Sequence, residues 1–378
     1  MKIGFDNEKY QTIQSEHIKE RISKFDGKLY LELGGKLFDD HHASRVLPGF
    51  LPDSKLRMFR KISDSIEIVI VISAADIEKN KKRADLGITY DEDVIRLREE
   101  YHSRGFMVGS VVITHYSGQP AAIAFKQRLE RSGIKTYCHY LIEGYPHDVK
   151  LIASDEGFGK NDYVETTRPL IIVTAPGPGS GKMAVCLSQL YNENKRGIHA
   201  GYAKFETFPV WNLPLKHPVN IAYEAATADL NDVNMIDPFH LEAYGKTAIN
   251  YNRDIEIFPV LNALFEGIYG TNPYKSPTDM GVNMVGFCIS DDEVCCEASK
   301  NEIVRRYYAA TNKLALGACN DAEISKIQLL FNQAKIDTTF RRTTTAAKDR
   351  LKETGHTAAA LELEDGTIIC ANSSELLG

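Results

Sequence analysis

The chain has 378 residues, of which 43% are apolar and 25% are charged, and its formal net charge at pH 7 is −6. This length and composition predict two or three domains with buried cores. Lys and Arg residues are dispersed, with only short runs such as Arg305-Arg306 and Arg341-Arg342, which argues against a nucleic-acid partner.

The amino-terminal residues, MKIGFDNEKYQ, contain no apolar signal core, and the longest apolar stretch, residues 66–75, is too short to span a bilayer. We therefore expect a soluble, cytoplasmic protein with no membrane partner. The seven cysteines are an odd number and include no C-x-x-C pair. They are expected to be reduced packing thiols, and they indicate neither a structural zinc site nor a disulfide framework.

Residues 1–168 are predicted to form an N-terminal α/β domain. Apolar strand-like runs alternate there with amphipathic helical runs, which is typical of parallel α/β layering. The predicted strands are residues 29–33, 66–73, 107–114 and 135–142, and the predicted helices are residues 11–24, 91–103 and 121–132.

A charged segment, residues 34–45, follows the first predicted strand and begins with two glycines. The end of a strand is a usual place for a ligand site in an α/β sheet. Lys36 and Arg45 are candidates for holding an anion, and Asp40 and His42 are candidates for acid/base or metal-binding roles. A solvated loop with a capping aspartate explains the same residues, because adjacency in sequence does not show that side chains converge.

The most informative segment is residues 169–190, PLIIVTAPGPGSGKMAVCLSQL, in which an apolar run, a glycine-rich turn and a helical pattern follow one another. Glycines let backbone N–H groups face an anion, and the helix N-terminus adds its dipole. A lysine at the end of the turn adds a positive charge. The predicted phosphate-binding residues are Gly177, Gly179, Ser180, Gly181 and Lys182.

Two residues depart from the nucleotide-binding pattern G-x-x-x-x-G-K-[ST], since Pro176 stands at the first glycine and Met183 at the Ser/Thr position. Met183 has no hydroxyl to bind Mg²⁺, so phosphates and distant carboxylates would have to hold any metal. The segment therefore supports phosphate binding better than ATP hydrolysis, with ATP or another nucleotide plus Mg²⁺ as the expected cofactor. The alternative is a tight turn whose glycines serve packing only.

A second, P-loop-like α/β domain is predicted over residues 169–288. Its helix at residues 182–194 is followed by a strand-like run at residues 199–208. This order resembles the P-loop ligases that include dethiobiotin synthetase, in which a Gly-Tyr-Lys-Pro strand places a lysine beside the phosphates. Ala203 separates the tyrosine from Lys204 and no proline follows, so Lys204 either faces the site or ends a solvated strand.

The remaining chain is predicted to form a helical subdomain, residues 289–336, and the start of a C-terminal α/β segment, residues 337–378. Capping patterns that begin at Ser290 and Asn320 open two consecutive helices. A hairpin turn is predicted at Asp365-Gly366, and the last residues are typical of a helix start.

Several long phrases together resemble one family, the uncharacterised DUF1846 or UPF0371 proteins, over essentially the whole chain. The resemblance implies a bacterial cytoplasmic protein with several α/β parts and a helical insertion, and it supplies no established activity. It also implies a C-terminally shortened chain, because members of the family usually continue further. Some relatives are labelled ATP-dependent peptidases, but H-E-x-x-H and G-x-S-x-G are both absent from the sequence. The phrases are residues 30–50, 86–97, 154–184, 200–245 and 276–287.

The sequence thus predicts the α/β class, with layered, mostly parallel parts, a P-loop-like strand-loop-helix and a helical subdomain. We expect an enzyme that binds a nucleotide or a phosphorylated small molecule for phosphoryl transfer or ATP-dependent ligation, with Lys182 and Lys204 stabilising phosphoryl charge. One alternative is a non-catalytic sensor of a phosphorylated ligand or a structural protein. Another is a metal-dependent hydrolase centred on residues 39–42, Asp-Asp-His-His. The aromatic loops are compatible with a homo-oligomer.

Overall fold

The structure, a computed structural model, describes residues 2–35, 37–38, 40–83 and 86–374. Its strands are β1 Leu29–Leu33, β2 Ile66–Ser73, β3 Met107–Tyr116, β4 Thr136–Tyr140, β5 Leu170–Thr174, β6 Gly201–Phe205, β7 Asn234–Ile236, β8 Ile249–Tyr251, β9 Ala358–Glu362 and β10 Ile368–Asn372. Its helices are α1 Asn7–Ser23, α2 His41–Val46, α3 Ser54–Arg60, α4 Ala74–Glu78, α5 Tyr90–Ser103, α6 Pro120–Arg131, α7 Val149–Ile152, α8 Lys182–Lys195, α9 Pro218–Ala226, α10 Pro238–Tyr244, α11 Asn252–Tyr269, α12 Pro277–Met280, α13 Asp292–Ala315, α14 Asp321–Ala334 and α15 Arg342–Thr354.

A parallel sheet of six strands, in the order β4-β3-β2-β5-β1-β6, organises the fold. The predicted α/β class with parallel layering is confirmed. The central strand β5 is buried at every residue, as expected of an apolar run covered on both faces. Because β5 and β6 both pair with β1, strands from both sides of residue 169 lie in one sheet. The division of the chain into four parts stays a prediction.

A second core lies outside the sheet, where α13 and α14 pack with α9 and α2. The predicted pair of helices is present, but α13 is capped one residue later than expected. Asp291, rather than Ser290, accepts a hydrogen bond from the backbone N–H of Val294. A carboxylate satisfies this N–H at least as well as a hydroxyl, and α14 is capped by Asn320 as predicted.

The C-terminal described residues form α15 and the antiparallel hairpin of β9 and β10, which confirms the predicted hairpin around Asp365-Gly366. Of the predicted helix start at residues 373–378, residues 375–378 lie outside the described residues. Over the ranges that the structure describes, no helix combines the length and apolar character needed to cross a membrane.

Candidate functional site

The parallel strands all end at one edge of the sheet, and this edge carries the strongest candidates for ligand binding. Strands β2, β3 and β4 follow one another on one side of β5. After β5 the chain continues to β6, which lies on the other side of β5. The strand order therefore reverses at β5, and in open α/β sheets ligands bind at the carboxyl edge beside such a reversal. The glycine-rich loop, residues 175–181, leaves β5 at this point and leads directly into α8.

The N-terminus of α8 begins directly at the glycine-rich loop. Gly181 is its N-cap residue, and no side chain of the described residues caps the helix. The first N–H groups of a helix have no partner within the helix, and its dipole favours an anion there. Lys182 is the first residue of α8, and within the described residues it has no hydrogen-bond or ion-pair partner. The loop thus offers both backbone donors and a positive charge.

The loop glycines are required by the backbone and by close packing. Gly179 and Gly181 have φ values of +75° and +87°, which residues with side chains disfavour. A methyl group at Gly177 would overlap the Tyr90 hydroxyl. On the other side of the loop, Thr114 Oγ1 donates a hydrogen bond of 2.6 Å to the carbonyl of residue 180. The strand β3 and the helix α5 therefore fix the shape of the loop.

Ser180 is 2% exposed, and its Oγ has no hydrogen-bond partner in the described part of the chain. A buried hydroxyl without a partner is uncommon. Its position in the glycine-rich loop keeps Ser180 a candidate for contact with a ligand.

Sequence reasoning missed Ser73 and His115, at the ends of β2 and β3. Ser73 Oγ lies 3.2 Å from His115 Nδ1, and His115 has a left-handed backbone with φ of +50°. Such a backbone is uncommon for a residue other than glycine, and it clusters at functional sites. His115 follows Thr114, which holds the glycine-rich loop. The available signal was a polar residue at or just after the end of each of two predicted strands.

Lys204 lies in a buried group of charges, the lysine cluster, formed with Asp254, Glu206 and Tyr251. Its Nζ is 2.8 and 2.7 Å from the two carboxylate oxygens of Asp254 and 3.2 Å from Glu206 Oε1. The Tyr251 hydroxyl donates to Glu206. Burial lowers the pKa of Lys204, but the carboxylates of Asp254, Glu206 and Glu32 outweigh this effect and raise the pKa above its ordinary value. Lys204 is therefore a fixed cation whose charge is already balanced.

The lysine cluster and the glycine-rich loop belong to the same edge of the sheet. In parallel register, Glu32 of β1 lies between Val173 of β5 and Lys204 of β6. Two strand spacings separate β5 from β6, which is about 10 Å. Glu32 accepts a hydrogen bond of 2.6 Å from the Tyr202 hydroxyl, so it is fixed between the loop and the cluster.

A cavity of about 280 Å³ opens beside the lysine cluster. It combines charged groups with aromatic rings, as small-molecule pockets do. His240 in its wall has Nδ1 3.0 Å from Ser276 Oγ. The lining includes Lys204, Glu206, Asp254, Trp211, His240 and Asp279.

Asp40 and His42, both predicted as site residues, are held in contacts that stabilise the fold. Asp40 caps α2 through the Ala43 N–H and lies 2.8 Å from the buried Lys55 Nζ. His42 Nδ1 lies 3.5 Å from Glu302 Oε1. Burial lowers the pKa of the His42 imidazole, which keeps the ring neutral near pH 7.

Of the other candidate residues in the charged segment, two lie outside the described residues and two are exposed. Lys36 and Asp39 lie outside the described residues. His41 is exposed at the start of α2, and Arg45 is also exposed. The His, Cys, Asp and Glu side chains with converging ligand atoms in the described ranges are elsewhere, at His217, Asp292 and Cys296.

The chain matches known proteins over nearly its whole length. The family model described as "Domain of unknown function DUF1846, N-terminal" matches residues 3–335. The UPF0371 protein of Streptococcus thermophilus is 58% identical over 377 residues, which is 100% of this chain and 76% of that protein. UPF0371 proteins of Streptococcus pneumoniae serotype 19F and Streptococcus pyogenes serotype M5 are each 57% identical, with the same shares.

The residues matched by the family model include both the glycine-rich loop and the lysine cluster. The chain belongs to the UPF0371 proteins, a family with bacterial members that carries the DUF1846 domain of unknown function.

Proposed function

We propose that the protein binds a phosphorylated small molecule or a nucleotide at the carboxyl edge of its sheet, with a phosphate on the glycine-rich loop. The observation that carries this proposal is the uncapped N-terminus of α8, where Lys182 at the first position has no ion-pair partner among the described residues. A lysine is unfavourable there by itself, because the helix N-terminus is already positive. An anion bound at the N–H groups removes this conflict and is attracted by the lysine charge.

The rest of the ligand is proposed to extend towards the lysine cluster. Glu32 lies between the loop and Lys204 in register, and the cavity beside the cluster accepts a polar group of modest size. In a phosphoryl transfer or ATP-dependent ligation, Lys182 would stabilise charge on the phosphoryl oxygens. Glu32 is the carboxylate that we propose to help hold Mg²⁺ beside a bound nucleotide, since Met183 lacks a hydroxyl.

A phospho-ligand sensor without catalysis is the second candidate. It is favoured by Met183, which has no hydroxyl for a metal, and by Lys204, whose charge Asp254 and Glu206 already balance. The two candidates share the phosphate site and differ in turnover. Incubation with ATP, Mg²⁺ and candidate acceptors separates them, because only the enzyme produces ADP at a rate that falls in the Lys182→Ala variant.

We expect at least one of ATP, GTP and inorganic phosphate, at millimolar concentration, to raise the melting temperature of the protein. Ligands that bind only the folded state stabilise it by mass action. Lys182→Ala should remove most of this rise, because it deletes the cation at the helix N-terminus. The measurement is a thermal-unfolding series with each ligand.

The matched control is Lys135→Ala, which removes an exposed lysine that precedes β4 at the opposite edge of the sheet. This variant should keep the full rise in melting temperature. An unchanged rise in Lys182→Ala, or no rise with any of the three ligands in the wild-type protein, would contradict the proposed phosphate site.

A further inference from the structure

A histidine, an aspartate and a cysteine converge where α9 meets α13. His217 precedes α9 and caps it, whereas Asp292 and Cys296 lie one turn apart on α13. Residues four apart on a helix share one face, and here both side chains contact His217. None of the three belongs to the glycine-rich loop or to the lysine cluster.

One ligand atom from each of the three residues lies within 4.8 Å of the others, and the two carboxylate oxygens of Asp292 face different partners. His217 Nε2 is 3.0 Å from Asp292 Oδ1 and 3.6 Å from Cys296 Sγ. Cys296 Sγ is 3.7 Å from Asp292 Oδ2. Metal–ligand bonds of about 2.0–2.3 Å at tetrahedral angles put ligand atoms about 3.3–3.6 Å apart. A single ion placed among the three side chains can therefore reach one ligand atom of each.

We propose that His217, Asp292 and Cys296 bind a divalent cation of the zinc type. Imidazole nitrogen, thiolate sulfur and carboxylate oxygen together favour Zn²⁺ or Co²⁺ over Mg²⁺ and Ca²⁺, which prefer oxygen ligands alone. The Asp292 side chain is 61% exposed, so the fourth position of the metal is open to water. The ion would join the start of α13 to the start of α9.

Metal binding requires two proton movements. His217 Nδ1 accepts the Val219 N–H at 3.3 Å, so in the metal-free protein Nε2 carries the ring proton and donates it to Asp292. The ion takes the Nε2 lone pair, and the proton moves to Nδ1, which gives up the long contact with Val219. The Cys296 thiol releases its proton to solvent as its sulfur binds the ion.

Burial and the Asp292 carboxylate raise the pKa of the Cys296 thiol to about 11. Without a cation the sulfur is therefore a neutral thiol and a poor nucleophile. A bound divalent cation reverses the local field and stabilises the thiolate.

The test uses Co²⁺ with the full chain, because cobalt reports its ligands by absorption. We expect one equivalent to bind, with a thiolate-to-cobalt charge-transfer band in the near ultraviolet and the visible bands of a tetrahedral site. Cys296→Ser should lose the charge-transfer band, and excess Zn²⁺ should remove all bands in the wild-type protein. His217→Asn should lose the tetrahedral spectrum while keeping a side chain that caps α9.

Cys319→Ser is the matched control, since Cys319 is also partly exposed and its Sγ donates to the Ala310 carbonyl, away from the three ligands. The control should keep one equivalent of Co²⁺ and the full spectrum. The proposal is overturned when the wild-type protein shows no charge-transfer band, or when the band survives both Cys296→Ser and His217→Asn. Circular dichroism of each variant separates loss of a ligand from loss of the fold.

Discussion

Replacement of Lys204 with methionine is expected to lower the free energy of unfolding by about 3–5 kcal/mol, the usual cost of removing one partner from a buried ion pair. Methionine fills a similar volume but leaves the Asp254 and Glu206 carboxylates without their cation. Both are largely buried, with 13% and 25% of their side chains exposed. Burial already raises the pKa of Glu206, and loss of the lysine removes the main opposing charge. Urea unfolding at pH 7 measures the difference.

The control is the double variant Lys204→Met, Asp254→Asn. Asp254→Asn removes one of the two carboxylates that lost their cation, so the double variant should be more stable than Lys204→Met alone. Equal or lower stability of the double variant would mean that the loss comes from packing. A cost below about 1 kcal/mol for Lys204→Met would show that the cluster behaves like a solvated surface pair.

Local patterns predicted the elements of the sheet well, because strand and helix periodicity is a property of adjacent residues. The strands β1 and β2 have the predicted bounds, and α8 begins at the predicted lysine. The order of strands was beyond such reasoning. The pairing of Leu29 with Leu170 joins two distant parts of the chain, and it depends on how helices cover the two faces of the sheet.

The candidate site was predicted in part. The glycine-rich loop was visible because glycines followed by a lysine at a strand-to-helix turn have a local physical meaning. Lys204 was also singled out, but its partner Asp254 lies 50 residues further along the chain, in α11. No local pattern reveals such a partner, so the ion pair of Lys204 with Asp254 could not be predicted, and a phosphate contact of Lys204 stays a prediction.

Distance along the sequence is a poor guide to contact in two cases, the charged segment after β1 and the proposed metal site. Asp40 and His42 are close in sequence, yet the structure gives them separate partners in Lys55 and Glu302. His217 is 75 residues from Asp292, and the two nevertheless touch. Spacing patterns detect a metal site only when its ligands share one short segment, so this site has no signature in the sequence.

The protein is expected to lose about 3 kcal/mol of stability between pH 6.5 and pH 4 through one histidine, at about 1.4 kcal/mol per unit of pKa shift. His139 in β4 is 3% exposed. Burial lowers the pKa of its ring to about 4, although a hydrogen bond to the Asp162 carbonyl opposes the shift. In the unfolded chain a histidine has a pKa of about 6.5. The unfolded state therefore binds the proton first as the pH falls, and this shifts the equilibrium towards unfolding.

The contribution of neutral His139 to the free energy of unfolding is fully present above the unfolded-state pKa. It is lost as the pH falls through the folded-state pKa. His139→Gln tests this, because glutamine does not titrate and its amide can still donate to the Asp162 carbonyl. We expect the free energy of unfolding, from urea titrations between pH 7 and pH 4, to fall less steeply in this variant. Protonation of His42 and Glu302 affects the stability of the wild-type protein and of His139→Gln equally. These effects therefore cancel when the two free energies of unfolding are subtracted. The control is His147→Gln, at an exposed position, and its free energy of unfolding should depend on pH as that of the wild-type protein does. If the pH dependence of His139→Gln also parallels that of the wild-type protein, a neutral, buried His139 is not the source of the acid sensitivity.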